Sequence, residues 1–435
     1  MSSPAASHLT LLHPAAPHHA SPHHASPHRA VPHIVILNDF GHINGGAGKV
    51  ALDSAAALGR RGYRVTLLCA VLPVDPGLLR DNVRVECTEQ FEIRADPDRL
   101  RAARQGIWNR KAVRALSAVL DGCDRANTIV HAHGWTKALS PACLHTALKR
   151  DFKVVVTLHE YFLACPNGGF FDYREQRICR RRPLSLGCMA ANCDSTSYAE
   201  KLWRIGRQMV QRDFIRAPRD IRHFITVSAF SRDVIGAFLP QTSAIYPVPN
   251  PIDAGREPPI DVAANRGMLY VGRMAQEKGV MTLARAAQGA GLPVAYVGDG
   301  ICRESVNRIN PRAICTGWVD GEEVKRHMRL ARALIFPSEW YETQGLVVLE
   351  AAAMGLPAIV SDACAAREMV VDGVTGLWFR AGDERDLAAK MALLEDPEFV
   401  KRLGVAAFER YWQLPFTMER HLEALEQCYE RILSS

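Results

Sequence analysis

The sequence lacks the features of several common protein classes. No apolar run approaches the roughly 20 residues that a membrane-spanning helix needs, and the first 30 residues lack the continuous apolar stretch of a secretory signal. None of the 12 cysteines forms the C-x2-C pair that is common in zinc-binding domains. Without a signal sequence, this cysteine content favours a reducing compartment, and we therefore expect a cytoplasmic protein.

A P-loop is also absent, although GHINGGAGKV at 41–50 resembles one at first sight. The motif G-x-x-x-x-G-K-[ST] requires glycine where this chain has Ile43 and a hydroxyl where it has Val50. The glycines are also out of phase with a dinucleotide-binding G-x-G-x-x-G. What remains is a glycine-rich turn, with Gly45 and Gly46, between a strand and a helix. Its free amides suit an anion, but an ordinary tight turn explains the same residues.

Charge is unevenly distributed along the chain. Positions 31–250 carry 31 Lys and Arg against 20 Asp and Glu, whereas positions 251–435 carry 21 against 26. A basic half suits an anionic partner, such as a membrane surface, a phosphorylated acceptor or nucleic acid. A generally arginine-rich composition without such a partner is the alternative.

Short β-branched runs alternate with helical stretches, a pattern typical of parallel sheets built from right-handed crossovers. The runs are HIVIL, YRVTLL, TIVHA, KVVVTL, HFITV, GMLYVG, PVAYVG, ALIFP and PAIVS. A proline-rich segment at 246–260 separates two series. We therefore predict an α/β fold of two facing, Rossmann-like, doubly wound domains, with ligands in the cleft at the carboxyl ends of the strands. The expected parts are a disordered His/Pro/Ala-rich leader (1–30), an N-terminal domain (31–247) with a Cys-rich insertion (165–193), a C-terminal domain (248–415), and an amphipathic terminal helix (416–435), for which the first domain is one packing partner.

Two glutamates stand out in FPSEWYETQGLVVLEAAAMGLPAIVSD at 336–362. Glu342 lies in a loop, and Glu350 follows eight residues later inside a helix. A fully helical path would separate them by about 12 Å, whereas the carboxylates of a glycosidase pair lie about 5–10 Å apart. The spacing therefore suits two contacts at opposite ends of a long ligand such as a sugar nucleotide. Two exposed glutamates on a capped helix are the alternative.

Two cations, Arg273 and Lys278, follow a strand in YVGRMAQEKGV and could hold a diphosphate. Together with the E-x7-E block, the GDG at 298–300 and the PNPID linker, they resemble the family 4 retaining glycosyltransferases of the GT-B fold. The GGAG turn and HAHGW at 131–135 fit as well. The resemblance runs from about residue 33 to the C-terminus.

The resemblance makes 31–247 the acceptor-side domain and 248–415 the nucleotide-sugar-binding domain, with the terminal helix packing back on the first domain. It also implies roles for residues of the second domain. Glu350 would bind the nucleotide ribose, and Glu342 would contact the donor sugar or the reacting centre. Arg273 and Lys278 would neutralise the leaving diphosphate. The amides of Gly345 and Leu346 at a helix start would face the same phosphates.

The resemblance also implies contacts elsewhere in the cleft. Gly45 and Gly46 would let the first domain approach the diphosphate, and Val319 would lie near the base. His133 would hydrogen-bond the acceptor or the sugar, and His159 is a second candidate for that role. The implied donor is a UDP- or GDP-sugar, with no metal or other cofactor required for the chemistry and with retention by front-face attack.

Four cysteines crowd into the predicted insertion with the spacing C-x13-C-x8-C-x4-C: Cys165, Cys179, Cys188 and Cys193. Thiolates binding structural zinc would stabilise such a segment. Free thiols or disulfides remain equally open from the sequence.

The basic helices at 100–116 and 201–216 contain interleaved tryptophans, a pattern that suits an anionic bilayer but also solvated arginines over buried aromatics. We therefore expect a peripheral membrane enzyme that transfers a sugar to a glycan or lipid-linked acceptor in cell-envelope or exopolysaccharide synthesis. No nucleic-acid partner is expected. The alternatives are a two-domain sugar-nucleotide epimerase or phosphorylase-like enzyme, and a zinc-stapled nucleic-acid-binding protein that uses the basic half.

Overall fold

The computed structural model describes residues 31–435, and the predicted leader at 1–30 lies outside them. A parallel seven-stranded sheet forms the first domain, in the order β3-β2-β1-β4-β5-β8-β9. The strands up to β9, including the small β6–β7 hairpin, are β1 His33–Leu37, β2 Arg64–Cys69, β3 Val83–Cys87, β4 Thr128–Ala132, β5 Lys153–Thr157, β6 Phe171–Asp172, β7 Arg177–Ile178, β8 His223–Thr226 and β9 Ala244–Pro247. The helices are α1 Gly46–Arg60, α2 Pro76–Arg80, α3 Arg99–Ile107, α4 Arg110–Asp121, α5 Ala142–Lys149, α6 Leu186–Ala190, α7 Tyr198–Met209 and α8 Ala229–Gly236, with a π-helical turn at Val210–Phe214 after α7.

A parallel six-stranded sheet forms the second domain, in the order β12-β11-β10-β13-β14-β15. Its strands are β10 Gly267–Val271, β11 Val294–Val297, β12 Ile314–Gly317, β13 Ala331–Phe336, β14 Ala358–Ser361 and β15 Gly376–Phe379. Its helices, with the terminal one, are α9 Val280–Ala290, α10 Arg303–Ile309, α11 Gly321–Arg329, α12 Leu346–Ala353, α13 Glu384–Leu393, α14 Pro397–Gln413 and α15 Met418–Ser434. Short 3-10 turns lie at Arg125–Asn127, Gln276–Lys278 and Ala365–Glu368. The predicted α/β class with two doubly wound sheets is confirmed.

The central strand β1 shows why these runs form buried parallel strands. All five of its residues are buried, because helices cover both faces of the sheet and leave no face for polar side chains. Val35 and Leu37 join the core on one face, whereas Ile34 and Ile36 join the core on the other. This alternation follows from the two-residue period of a strand.

The last helix, α15, begins beyond the second sheet and packs on the first domain. Its apolar stripe, including Leu422, Leu425 and Tyr429, lies in the same core as Ile34 and Ile36. The Tyr429 hydroxyl is 2.7 Å from Nδ1 of the buried His131. The helix therefore ties the end of the chain to the first sheet.

Each sheet reverses its strand order at one point, between β1 and β4 in the first and between β10 and β13 in the second. Ligands of doubly wound sheets bind at such switch points, outside the carboxyl ends of the strands. The glycine-rich turn, His133, Arg273 and the loop before Gly345 all follow one of these four strands. No helix within residues 31–435 is both long enough and apolar enough to cross a bilayer.

Candidate active site

The loop between β13 and α12 joins the two domains at the cleft. Thr343 Oγ1 donates to the carbonyl of His159 at 3.1 Å, and Ser228 Oγ donates to the carbonyl of Thr343 at 2.6 Å. Gln344, which is 2% exposed, accepts a hydrogen bond from the backbone amide of Asn250 in the linker. The loop that carries Glu342 is therefore fixed by first-domain and linker groups.

Two helix N-termini meet across this cleft. Gly45 precedes α1 with φ +91°, and Gly345 precedes α12 with φ +120°, so both turns use backbone conformations that favour glycine. A Cβ added to Gly46 would lie 3.5 Å from Cδ1 of Leu346. Unpaired amides and the positive ends of both helix dipoles thus converge from the two domains, which suits an anionic ligand.

Glu350 lies one turn into α12, partly buried, and it makes no side-chain hydrogen bond or ion pair with another residue of 31–435. Burial raises its pKa, while the positive charges of Lys49 and Lys325 act in the opposite direction. Lys49, in the first turn of α1, is itself paired with Asp53 at 2.5 Å. The carboxylate of Glu350 is therefore held without a partner, as a receptor for hydroxyl donors would be.

Glu342, in contrast, is fully engaged. Its Oε2 accepts from Lys278 Nζ at 2.6 Å, Trp340 Nε1 at 2.9 Å and Ser338 Oγ at 3.0 Å. Burial alone would raise the pKa of Glu342, but the charge of Lys278 and these donors together hold it below its ordinary value. Lys278 also lies 5.2 Å from the centre of the Trp340 ring. The two residues that the sequence analysis assigned to different parts of the donor are thus ion-paired.

The loop after β10 positions Arg273. Its Nη2 donates to Glu277 Oε1 at 2.6 Å, and the Tyr270 hydroxyl donates to its carbonyl at 2.8 Å. The GDG turn packs directly on this loop, because a Cβ on Gly298 would lie 2.1 Å from the carbonyl oxygen of Gly272. Only glycine allows that approach. Val319 is partly buried against the core of the second domain, and its neighbour Trp318 is 72% exposed.

His133 directly follows β4 at the floor of the cleft. Its Nδ1 is 3.0 Å from Nε2 of His159, and its ring centre is 4.1 Å from that of His131. Burial, reinforced by His131 and His159, lowers the pKa of His133 well below its ordinary value. Its Nε2 is buried without a hydrogen-bond partner among the described residues. Burial also lowers the pKa of His159, to about 3, so both rings favour the neutral form, and Nε2 of His133 is left with an unused hydrogen-bonding position.

The four cysteines of the insertion do not form a metal site. No group of three or more His, Cys, Asp or Glu side chains in the described range is arranged to hold a metal ion. Lys201, only 1% exposed, places Nζ 3.0 Å from Cys193 Sγ and 3.8 Å from Cys188 Sγ. Cys165 and Cys179 are likewise free thiols. The predicted zinc site is therefore not supported, because an ammonium group already lies among the thiols.

The sequence analysis missed several polar residues at the cleft. Asp39, after β1, accepts from the backbone amides of 137–139, which fixes the turn behind His133. Glu160 follows His159 and lines the cleft, and burial raises its pKa despite Lys137, Arg273 and Lys278 nearby. An acidic residue shortly after the end of a buried strand was the available signal.

Comparison with known proteins identifies the family. Residues 44–256 match the family model described as Glycosyltransferase Family 4, and residues 265–396 match the model described as Glycosyl transferases group 1. The two matches together span most of the chain. The chain belongs to the family 4 glycosyltransferases. The predicted resemblance is thereby confirmed.

Curated relatives of this family 4 member match only part of their own length. It is 34% identical to the glycogen synthase of Mycobacterium tuberculosis over 211 residues, which are 44% of this chain and 50% of that protein. It is 36% identical to a GDP-mannose-dependent alpha-mannosyltransferase of Mycolicibacterium smegmatis over 138 residues, 32% of this chain and 36% of that protein. The chain thus spans half or less of the length of these relatives.

Solved structures resemble this family 4 member over nearly its whole length. A sucrose-phosphate synthase from Thermosynechococcus elongatus matches with a TM-score of 0.68 and 21% identity, covering 93% of this chain and 99% of that one. The Anabaena protein HepE, in complex with UDP-glucose, matches with a TM-score of 0.63 and 16% identity, covering 93% and 100%. At these identities the likeness concerns the fold alone, and it confirms the GT-B architecture.

Proposed function

We propose that this protein transfers a sugar from a nucleotide-sugar donor to an acceptor hydroxyl with retention of anomeric configuration. One observation carries the proposal: the starts of α1 and α12 meet across the cleft at Gly46 and Leu346, and Glu350 stands unpaired one turn further on. Converging amides suit a diphosphate, and an unpaired carboxylate suits the two hydroxyls of a ribose. A nucleoside diphosphate sugar has both groups.

The donor is a UDP- or GDP-sugar. The HepE structure contains UDP-glucose, and the mycobacterial relative is a GDP-mannose-dependent transferase. Glu350 binds the ribose, Val319 lies beside the base, and the amides of Gly345 and Leu346 bind the phosphates. The glycines at 45 and 46 keep the first domain free of side chains where its backbone approaches them.

The chemistry follows from where charge develops. The acceptor oxygen bonds to the anomeric carbon as the glycosidic bond breaks, and the acceptor proton passes to the departing diphosphate. The negative charge that grows on the departing diphosphate is stabilised by Arg273, Lys278 and the helix amides. Contacts of this kind together lower the barrier by roughly several kcal/mol. Glu342 receives three hydrogen bonds on Oε2, so it positions the donor and Lys278 rather than attacking carbon.

The acceptor binds on the first-domain side. His133, His159, Lys137 and Glu160 line one recess there, and the free Nε2 of His133 can contact an acceptor or donor hydroxyl. The acceptor is a glycan or a lipid-linked saccharide, in cell-envelope or exopolysaccharide synthesis.

A membrane-facing surface fits such an acceptor. Leu186, Leu100 and Leu202 are 85%, 71% and 49% exposed on α6, α3 and α7, beside numerous arginines. Exposed leucines among arginines suit an anionic bilayer surface. Trp203 does not contribute to this surface, since its Nε1 donates to the Ala103 carbonyl and its ring packs on Gly106.

Calorimetry with UDP-, GDP- and ADP-sugars tests the donor proposal. We expect one series to bind and Glu350→Gln to weaken it about ten- to a hundred-fold, since the variant loses charged acceptors for the ribose hydroxyls. Glu339→Gln is the matched control, because the Glu339 carboxylate already accepts a hydrogen bond from Thr282, whereas that of Glu350 has no partner within residues 31–435. Binding of no donor, or equal loss in both variants, would refute the proposal. Donor conversion without any acceptor would indicate an epimerase.

A further inference from the structure

A cavity of about 440 Å³ lies between the domains on the acceptor side. Helices α3 and α7 and the loops after β4 and β5 form most of its wall, and Arg273 and Trp340 close it from the second domain. Its size is within the range of about 300–1,000 Å³ that small-molecule sites occupy. It shares Lys137, Glu160 and Phe162 with the recess that contains His133, so the two spaces adjoin.

Arg207 of α7 lines this cavity and is 5% exposed. Its guanidinium lies 5.2 Å from the ring centres of both Phe162 and Trp203, and Nη1 donates to the carbonyl of Thr136 at 3.0 Å. No carboxylate in residues 31–435 forms an ion pair with it. A buried charge of this kind is costly unless a partner compensates it.

Three other arginines around the cavity differ from Arg207, because each of them has a carboxylate partner. Arg204 pairs with Asp194 at 2.9 Å, Arg273 with Glu277 at 2.6 Å, and Arg99 with Glu200 at 3.9 Å. Basic residues outnumber acidic ones in the lining by six to four. Glu200 and Glu277 are paired in this way, whereas Glu92 and Glu160 form no ion pair within residues 31–435. The lining cations without an ion-pair partner in that range are Arg94, Lys137 and Arg207, so the net charge left for a ligand is positive, and Arg207 is the buried one of the three.

We propose that this cavity binds the acceptor and that Arg207 binds an anionic group on it, either a carboxylate or a phosphate. The Thr136 carbonyl holds Nη1 of Arg207, whereas Nε and Nη2 have no hydrogen-bond partner among the described residues and can form two parallel N–H···O bonds with an anion. The acceptor hydroxyl then points past Lys137 toward the recess of His133 and the donor. This inference rests on the proposed transferase function, which it narrows to acidic or phosphorylated acceptors.

Binding of three ligands to the full chain tests the proposal by ligand-observed NMR: 4-nitrophenyl β-glucuronide, glucose 1-phosphate and 4-nitrophenyl β-glucoside. We expect at least one anionic ligand to bind about ten-fold more tightly than the neutral glucoside, and the stronger of the two identifies carboxylate or phosphate. Arg207→Gln should remove the preference, and Arg207→Lys should keep part of it. Arg212→Gln is the control, because Arg212 is half-exposed, pairs with Asp213 and lies outside the cavity.

Equal binding of all three ligands, binding of none, or an unchanged preference in Arg207→Gln would overturn the assignment. Nucleotide-sugar binding is measured in the same preparations. Donor binding without an anion preference refutes this inference alone. If the protein prefers anionic ligands through Arg207 but binds no nucleotide sugar, the anion site is supported and the transferase function is refuted.

Discussion

The ion pair between Lys278 and Glu342 allows the most direct test of the site. Their side chains are 19% and 18% exposed, and the Nζ–Oε2 distance is 2.6 Å. Lys278→Met removes the cation and leaves the carboxylate with Ser338 and Trp340 as its remaining donors. Removing one member of a buried pair costs about 3–5 kcal/mol. Because two donors and some solvent remain, we expect an apparent unfolding free energy lower by about 2–3 kcal/mol.

A double-mutant cycle isolates the pair. Glu342→Gln alone leaves Lys278 without its carboxylate, whereas Lys278→Met/Glu342→Gln leaves neither charge unpaired. We therefore expect the double variant to be less destabilised than the sum of the single variants by about 2 kcal/mol. Urea unfolding followed by fluorescence of the second domain, with the first domain's transition fitted separately, provides the measurement.

The pH dependence gives an independent check with a defined sign. In the native protein the pKa of Glu342 is lowered. The ion pair therefore stabilises the fold at pH values above the pKa of Glu342 in the unfolded chain, and this stabilisation is lost as pH falls through the pKa in the folded protein. In Lys278→Met, burial dominates and raises the pKa, so that variant loses stability as pH increases. The stability difference should therefore widen between about pH 4 and pH 7. Additive single effects within about 0.5 kcal/mol, or a pH-independent difference, would refute the reasoning.

Two further predictions concern the first domain. The double variant Leu100→Asp/Leu202→Asp should bind phosphatidylglycerol vesicles about ten-fold more weakly in a flotation assay, because two exposed apolar contacts are lost. Leu330→Asp, at an exposed leucine of the second domain, should bind as the unmodified protein does. Equal flotation of the unmodified protein and both variants would contradict a membrane surface at α3 and α7. Protein purified without added metal should contain far less than one zinc per chain, because Lys201 lies among the thiols. For the same reason, EDTA should leave its melting temperature unchanged. Stoichiometric zinc, with a loss of stability on chelation, would show instead that zinc can displace the ammonium group.

The sequence predicted the central strands of both sheets but not the strands at their edges. The unrecognised strands of these two sheets, β3, β9, β12 and β15, are their outermost strands, and the separate β6–β7 hairpin was not predicted either. A central strand is covered on both faces and reads as an apolar run, whereas an edge strand such as VRVEC is half-exposed and mixes polar residues into a short segment. An apolar sequence pattern therefore identifies strands that are buried on both faces, but it misses strands that pair at an exposed sheet edge.

The candidate site shows a similar division. Strand-end residues such as Arg273, His133 and the glycines could be predicted, because parallel topology brings the carboxyl ends of strands together. The ion-pair partners of these residues could not be predicted, because Lys278 and Glu342 are 64 residues apart in sequence and no local pattern encodes their contact. The cysteine spacing was misleading for a different reason. Lys201 lies in α7, only eight residues beyond Cys193, but the spacing of the cysteines does not show that its ammonium group is buried among the thiols.

The pairing pattern in the cleft suggests how binding and catalysis divide the work. The two cations that we propose to face the diphosphate already have carboxylate partners, Arg273 with Glu277 and Lys278 with Glu342. Glu350 and the two helix starts have no such partner within residues 31–435. The donor therefore gains most from the unpaired groups when it first binds, because the paired cations offer it only a shared charge. As the leaving diphosphate accumulates charge, it competes more strongly for Arg273 and Lys278. Interactions that strengthen toward the transition state in this way raise the rate of the chemical step rather than the affinity for substrate.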